Sequence, residues 1–136
     1  MRILRRPGEI TDGVDEGSKK TRDQAIEAAQ KADAIIYSIY YADRGAYGGF
    51  GGGGGEAELR RMSGETGGRM FTVDRGHTLD DAFRDIQDEM RSQYSITYSP
   101  TNNKRDGTFR KIEIRAAQKD YKVQTRKGYY AVPPEN

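Results

Sequence analysis

Three oxygen-bearing side chains lie close together near the start of the chain. Asp12, Asp15 and Ser18 fall within a single short segment. Carboxylate and hydroxyl oxygens are ligands that Mg²⁺ prefers, so the segment offers three oxygen donors to a hard cation. The same residues also suit a turn that caps a following helix, and the pattern leaves both interpretations open. A site built from this one loop would bind Mg²⁺ weakly.

A glycine-rich segment interrupts the middle of the chain, with eight Gly in residues 45–55. Backbone N–H groups of such a loop can wrap a phosphate group. The Gly-Lys-Ser/Thr ending of a nucleotide-binding loop is missing, however. Glu56 and Glu58 follow instead, and their charges would repel phosphate. The composition therefore favours a flexible connector over a phosphate site.

No residue pattern indicates catalysis. The single histidine, His77, lacks the partner spacing of a Ser-His-Asp triad. The acidic residues between positions 80 and 89 fall mostly on the outward face of a predicted helix, where solvation explains them. The chain has no cysteine, which excludes disulfides, cysteine-based zinc sites and thiol nucleophiles. We therefore expect the protein not to be an enzyme.

Basic and aromatic residues are interleaved towards the C-terminus. Residues 91–136 hold ten basic and four acidic side chains, whereas residues 1–90 carry a net charge of −4. Such interleaving suits a platform for single-stranded nucleic acid. The alternation places Phe109 and Tyr121 opposite most of the cations, however, as in a strand with one core face. The pattern favours a basic sheet surface, and nucleic-acid binding remains only a further alternative.

Length and composition indicate one small domain with a modest core. The 136 residues suffice for a single domain of ordinary size. Leu, Ile, Val and Phe together make up 21 residues, about 15% of the chain, but nine Tyr add buriable surface and the net charge is only +2. The longest apolar run, residues 34–37, is far too short to span a membrane.

The first part of the chain alternates helix and strand patterns. Thr21 and Gln24 form a capping-box pair that predicts the start of a helix, and residues 34–40 predict a nearly continuous apolar strand. Residues 56–66 and 70–73 predict a second helix and strand, and Thr78 predicts the cap of a third helix. The expected inward residues are Ala25, Ile26, Ala29 and Ala32 in the first helix, Leu59 and Met62 in the second, and Leu79, Ala82, Phe83, Ile86 and Met90 in the third.

The last part of the chain has strand patterns only. Tyr94, Ile96 and Tyr98 alternate with polar residues, Phe109, Ile112 and Ile114 lie in a second predicted strand, and Tyr121, Val123 and Thr125 alternate in a third. We therefore expect three antiparallel strands at one edge of a parallel sheet covered by helices, which is an α/β class.

Several short motifs follow one another along residues 10–134. Residues 10–15 read Ile-Thr-Asp-Gly-Val-Asp and precede a helix pattern, residues 28–39 carry Ala-Asp and Ile-Tyr-Ser-Ile, and residues 65–69 read Glu-Thr-Gly-Gly-Arg. Residues 79–86 carry Leu-x-x-Ala-Phe-x-x-Ile, and residues 91–102 carry Arg-Ser-Gln-Tyr and Tyr-Ser-Pro-Thr-Asn. Residues 105–110 read Arg-Asp-Gly-Thr-Phe-Arg, and residues 126–131 read Arg-Lys-Gly-Tyr-Tyr-Ala. This order resembles the von Willebrand factor A (VWFA) domain, and more closely the VWFA-related domain proteins of Acidobacteria.

The resemblance implies a doubly wound α/β fold with a metal-ion-dependent adhesion site. In that site Mg²⁺ is held by an Asp-x-Ser-x-Ser loop, a Thr from a second loop and an Asp from a third, and Asp12 matches the third. The 136 residues contain no Asp-x-Ser-x-Ser. We therefore expect the chain to match the C-terminal half to two-thirds of such a domain, with an incomplete site. Its parts are a divergent segment (1–9), a partial VWFA-like domain (10–99) and a strand extension (100–136).

The resemblance implies a non-enzymatic, adhesion-type protein-interaction module with protein partners. The alternative is a structural or accessory subunit of a larger complex, or a homo-oligomer, in which partner contacts replace missing strands. Nucleic-acid binding through the basic strands is the further alternative. The family is typically exported to the periplasm or beyond, whereas residues 1–9 contain no signal-peptide pattern.

Overall fold

The computed structural model describes residues 19–42 and 54–133. In these ranges the chain forms three helices and four strands, which we number in chain order. They are α1 (Lys19–Lys31), β1 (Ser38–Tyr41), α2 (Gly54–Thr66), β2 (Met70–Val73), α3 (Leu79–Arg91), β3 (Phe109–Lys111) and β4 (Gly128–Tyr130). The order of the first five elements agrees with the sequence patterns.

Strands β1 and β2 form a parallel pair with α2 as the connecting helix. The register places Ser38 beside Met70 and Ile39 beside Phe71. Because side chains alternate along a strand, the two faces of this pair differ. The face with Ile39 and Phe71 packs against α3, whereas Ser38 contacts α2. Helices therefore lie on both faces of the parallel pair.

The apolar core lies between β2 and α3. Phe71, Val73 and Ala82 are buried together there, and Ala82 is fully enclosed. Helix α3 begins as predicted, because the Thr78 hydroxyl accepts from the Asp81 N–H at 3.3 Å and the Asp81 carboxylate accepts from the Thr78 N–H at 2.9 Å. This reciprocal capping fixes the helix start. The prediction that Phe83 also faces inward is wrong, since its side chain is 49% exposed.

A buried polar network joins α2 to β1. The hydroxyls of Ser38 and Ser63 lie 2.7 Å apart, and both residues are buried. The Thr66 hydroxyl accepts from the Ile36 N–H at 3.0 Å and has the Met62 and Ser63 carbonyls at 3.1 Å as acceptors. Buried polar groups are stable only when paired in this way, so the network fixes the position of α2 on the strand.

Helix α1 departs from its predicted stripe. It already begins at Lys19, so the predicted capping pair at Thr21 is wrong. Ile26 is buried, but Ala25 and Ala32 are exposed. The buried neighbour is instead Gln30, whose side-chain amide donates to the Glu65 carbonyl at 3.0 Å. Ala is small enough to give little energy on burial, so this contact and the packing of Ile26 decide which face turns inward.

The C-terminal strands form a separate antiparallel pair. Phe109 pairs with Tyr130, and Lys111 pairs with Gly128. The rings of Phe109 and Tyr130 meet edge to face with centroids 5.3 Å apart. Gly128 is required at its position, because a Cβ atom there would lie 2.2 Å from the Phe109 ring and 2.4 Å from the Arg110 carbonyl oxygen.

Two of the three tail strands were predicted at the wrong place. Residues 94–98 and 121–125 form no strand, and the strand that pairs with β3 is 128–130 instead. The expected attachment to the parallel sheet is also wrong, because in the described ranges β3 and β4 form their own two-stranded sheet. Gly128 permits the close approach of β4 to Phe109. The apolar side chains of residues 121–125 instead line a groove, which is described below.

The described parts of the chain thus combine helices with one parallel and one antiparallel strand pair, broadly an α/β arrangement. None of the helices within these parts has the length and apolar character needed to cross a bilayer.

Candidate functional site

The candidate metal ligand Asp12 lies outside the described residues, and so do Asp15 and Ser18. Most of the glycine-rich segment lies outside them too, apart from Gly54 and Gly55, which begin α2. Within residues 19–42 and 54–133, three or more His, Asp or Glu side chains nowhere come together in a group that could hold a metal ion. The described residues therefore do not bear on whether Asp12 binds Mg²⁺.

His77 is part of the turn that precedes α3. The Asp74 carboxylate accepts from the backbone N–H groups of Gly76 and His77 at 2.7 and 2.8 Å, which is a common way to stabilise a turn. The His77 Nε2 atom lies 3.3 Å from an Asp85 carboxylate oxygen on α3. These contacts tie the turn to the helix and explain the histidine as a structural residue.

A groove with a volume of about 1050 Å³ lies beside the C-terminal strands. We call it the C-terminal groove. One wall is formed by residues 93–98, which follow α3, and the other by residues 121–126. Ile112 and Ile114, just after β3, and Tyr37 also line it. The three segments that carry alternating apolar residues in the sequence thus meet around one concave surface.

The walls of the groove expose large apolar side chains to solvent. The exposed fractions are 86% for Tyr94, 60% for Ile96, 54% for Tyr98, 68% for Tyr121 and 43% for Val123. Single exposed apolar residues are normal in proteins, but a contiguous set around a concavity is typical of an interaction site.

Hydrogen bonds and an ion pair hold the groove against the rest of the fold. The Lys127 N–H donates to the Glu65 carbonyl at 3.2 Å, and the Gln124 side-chain amide donates to the Gly67 carbonyl at 3.1 Å. Arg126 forms an ion pair with Asp33. The second wall is therefore anchored on the turn between α2 and β2.

The first wall is anchored less strongly. The Gln93 side-chain amide donates to the Tyr37 hydroxyl at 3.1 Å, and partial burial raises the pKa of Tyr37. The rings of Tyr98 and Tyr129 meet edge to face at 6.5 Å, and their hydrogen bond raises the pKa of Tyr98. Beyond these side-chain contacts, the backbone of residues 94–99 makes no hydrogen bond with any part of the chain that the structure describes.

The groove has a mainly positive rim. Glu89 lies beside Arg69, although desolvation outweighs this cation and raises the pKa of Glu89. Glu113 is paired with Arg115 at 2.7 Å. Lys111 and Lys122 also line the groove, and neither has an ion-pair partner among the described residues. The rim would therefore favour a partner with a neutral or acidic surface.

Several cations of the basic tail are occupied by acidic residues of the same chain. Arg110 contacts both carboxylate oxygens of Asp106 at 3.0 and 3.1 Å. The hydroxyl and N–H of Thr108 hold the pKa of Asp106 below the ordinary range of an aspartate, and the charge of Arg110 acts in the same direction. Tyr129 and Tyr130 lie within β4, where the Tyr129 ring packs on Tyr98 and the Tyr130 ring packs on Phe109.

The groove was not expected from the sequence, although its apolar residues were. Their period-2 alternation was interpreted as core-facing strands. The informative signal was the number of these residues, because exposed apolar side chains in such number are typical of an interaction surface.

Comparison with known proteins adds no assignment. The chain matches no protein-family model, no curated protein and no solved structure.

Proposed function

We propose that this protein is a non-enzymatic interaction module of the adhesion type, related to VWFA domains, that binds another protein through the C-terminal groove. The observation that carries the proposal is the concentration of exposed Tyr, Ile and Val side chains around a concavity of about 1050 Å³. Interface centres are enriched in aromatic residues.

The fold supports the VWFA part of the proposal. A doubly wound domain contains parallel strands joined by helices, with helices on both faces. The pair β1–β2, its connecting helix α2 and the packing of α3 on the opposite face agree with such an arrangement. The Glu-Thr-Gly-Gly-Arg motif of residues 65–69, one of the motifs that carry the resemblance, lies at the turn from α2 into β2.

The binding proposal is tested by capture on immobilised protein. A specific partner should be retained by the wild type and lost by Tyr121→Ser, because this substitution removes a 68% exposed ring from the groove without touching the core. The matched control is Phe83→Ser, which removes a similarly exposed ring from the outer side of α3. Equal retention by both variants, or no specific retention by the wild type, would contradict the proposal.

A contribution of Mg²⁺ through Asp12 belongs to the same proposal and has its own test. If Asp12 is a ligand, millimolar Mg²⁺ should raise the melting temperature relative to EDTA, and Asp12→Ala should abolish this rise. An unchanged melting temperature would remove metal from the proposal and leave binding through the groove intact.

A second candidate is a structural subunit whose partner completes the sheet. It is favoured by β1, which within the described ranges pairs only with β2 and ends in the 58% exposed Tyr41. A strand edge of this kind invites pairing with another chain. Such a subunit alone would melt broadly and without response to Mg²⁺, and a sharp transition would require the partner.

A further inference from the structure

Residues 94–98 form an exposed segment without backbone partners in the described structure. They follow α3, belong to no helix or strand, and make no backbone hydrogen bond to any described residue. Tyr94, Ile96 and Tyr98 are nevertheless spaced as on one face of a strand, and all three line the C-terminal groove. A segment with strand periodicity and free donors and acceptors is a template for pairing with another chain.

The segment lacks the features that usually prevent such pairing. Natural edge strands are protected by charged residues, especially Lys, or by proline. Residues 92–103 contain no Asp, Glu, Lys or Arg, although charged residues make up 32% of the chain. The proline of this stretch, Pro100, stands after the apolar residues and leaves their N–H groups available.

The sequence of the segment is self-complementary. Tyr-Ser-Ile-Thr-Tyr reads the same in both directions by residue class. Two copies in antiparallel orientation would place Ile96 opposite Ile96, Tyr94 opposite Tyr98, and Ser95 opposite Thr97. Aromatic pairs, β-branched pairs and Ser–Thr pairs are all favourable across antiparallel strands. In a two-fold pair residue i of one copy meets residue j of the other and j meets i, so every position of this segment faces a residue of its own class.

From these observations we propose that two copies of this protein pair through residues 94–98 as antiparallel strands, about a two-fold axis at Ile96. This goes beyond the proposed function, because it assigns one wall of the groove to a second copy and leaves the wall with Tyr121 for another partner.

The exposed area indicates a weak, reversible dimer. Three exposed side chains of this size cover on the order of 400 Å² per copy, so the pair buries about 800 Å² plus backbone. This lies below the roughly 1,200 Å² of stable specific interfaces and within the range of transient ones. We expect a dissociation constant on the order of tens of micromolar.

Sedimentation velocity over a concentration series from about 5 to 500 µM tests the dimer. The wild type should shift from monomer to dimer and stop there, because a two-fold interface is closed. Ile96→Lys should weaken dimerisation at least tenfold, since it places two like charges opposite each other. Phe83→Lys is the matched control, with the same change at an exposed position outside the segment, and should dimerise like the wild type.

Charge pairing tests the two-fold axis itself. Ile96→Lys and Ile96→Glu should each remain monomeric alone, whereas an equimolar mixture should form a heterodimer. Since the chain has no cysteine, Ile96→Cys should also give a disulfide-linked dimer on air oxidation, because directly opposed residues lie within disulfide range. Phe83→Cys should not.

A wild type that stays monomeric throughout the series, one that forms open-ended assemblies, or an Ile96→Lys variant that dimerises normally would overturn the proposal. Circular dichroism of each variant checks that the helices are retained. These outcomes are separate from the capture experiment, which depends on Tyr121, so failure of the dimer and failure of partner binding can be told apart.

Discussion

Replacing Thr66 by valine tests the buried network between α2 and β1. Valine has nearly the same shape but no hydroxyl, so the substitution leaves the Ile36 N–H without its acceptor at 3.0 Å. Thr66 is only 2% exposed. The valine side chain fits the space, and the effect should therefore come from the lost hydrogen bond.

The size of the effect follows from the position of the orphaned group. An unsatisfied buried donor costs about 1–3 kcal/mol, and the partial burial of this N–H places the expected loss of unfolding free energy at about 1–2 kcal/mol. For a chain of this length each kcal/mol corresponds to about 3–5 °C. We therefore expect the melting temperature to fall by about 3–10 °C.

The assay combines urea unfolding, followed by far-UV circular dichroism, with amide hydrogen exchange. The urea midpoint should fall in Thr66→Val with an unchanged slope, because the surface exposed on unfolding does not change. The matched control is Thr66→Ser, which loses a methyl group but keeps the hydroxyl. Both variants should be somewhat destabilised, but only in Thr66→Val should the Ile36 amide lose its protection against hydrogen exchange.

The exchange measurement decides whether the reasoning holds. If the Ile36 amide stays protected in Thr66→Val, the Thr66 hydroxyl is not the acceptor of this N–H group, and the proposed hydrogen bond between them does not exist. The same conclusion follows if the serine variant loses protection to the same extent, since the hydroxyl would then contribute nothing.

Four further substitutions have distinct expected outcomes. Gly68→Ala should destabilise the protein strongly and lower the urea midpoint, because its Cβ atom would lie 2.0 Å from the Ile36 carbonyl oxygen. Gly64→Ala lies in open space within α2 and should instead raise the unfolding free energy by about 0.5–1 kcal/mol. A lower unfolding free energy in Gly64→Ala would contradict the helical conformation of this residue. The hydroxyl of Thr78, which caps α3, holds the pKa of Asp81 below the ordinary range of an aspartate. The ionised Asp81 carboxylate therefore stabilises the folded state above the unfolded pKa of about 3.9, and this contribution to the unfolding free energy is lost as the pH falls through the lower folded pKa. The difference in unfolding free energy between wild type and Asp81→Asn should therefore shrink on acidification. Asp80→Asn removes the same charge in the same turn, and its unfolding free energy at neutral pH should equal that of the wild type.

Local sequence patterns predicted those helices and strands that are specified by residues close together in the chain. The cap at Thr78 and the apolar spacing of Leu79, Ala82 and Ile86 specify α3 within a few neighbouring residues. The apolar run at residues 70–73 likewise coincides with β2. Interactions between residues close in sequence decide such elements, and a single sequence contains that information.

The remainder depends on contacts between residues far apart in sequence. A period-2 pattern shows which side chains share a face, but it does not show whether a partner strand is present, and within the described part of the chain residues 94–98 and 121–125 pair with no strand. The burial of Gln30 depends on a carbonyl 35 residues away, for which the sequence carries no local signal.

The candidate site shows the same division. The alternating apolar residues of the groove were identified from the sequence, but their exposure was not, since exposure depends on how much of the fold covers them. Asp12 was chosen by resemblance to a family motif, and it lies outside the described residues, so it stays a prediction.

The ion pair between Arg126 and Asp33 has a consequence for the order of folding. These residues are 93 positions apart, so their contact closes a very long loop, which is slow to form and gains nothing until both ends are structured. The turn between α2 and β2, on which the tail docks, must exist first. We therefore expect the end of α1 to acquire its protection against hydrogen exchange in the last kinetic phase, together with β4, although it is among the first helices to be synthesised.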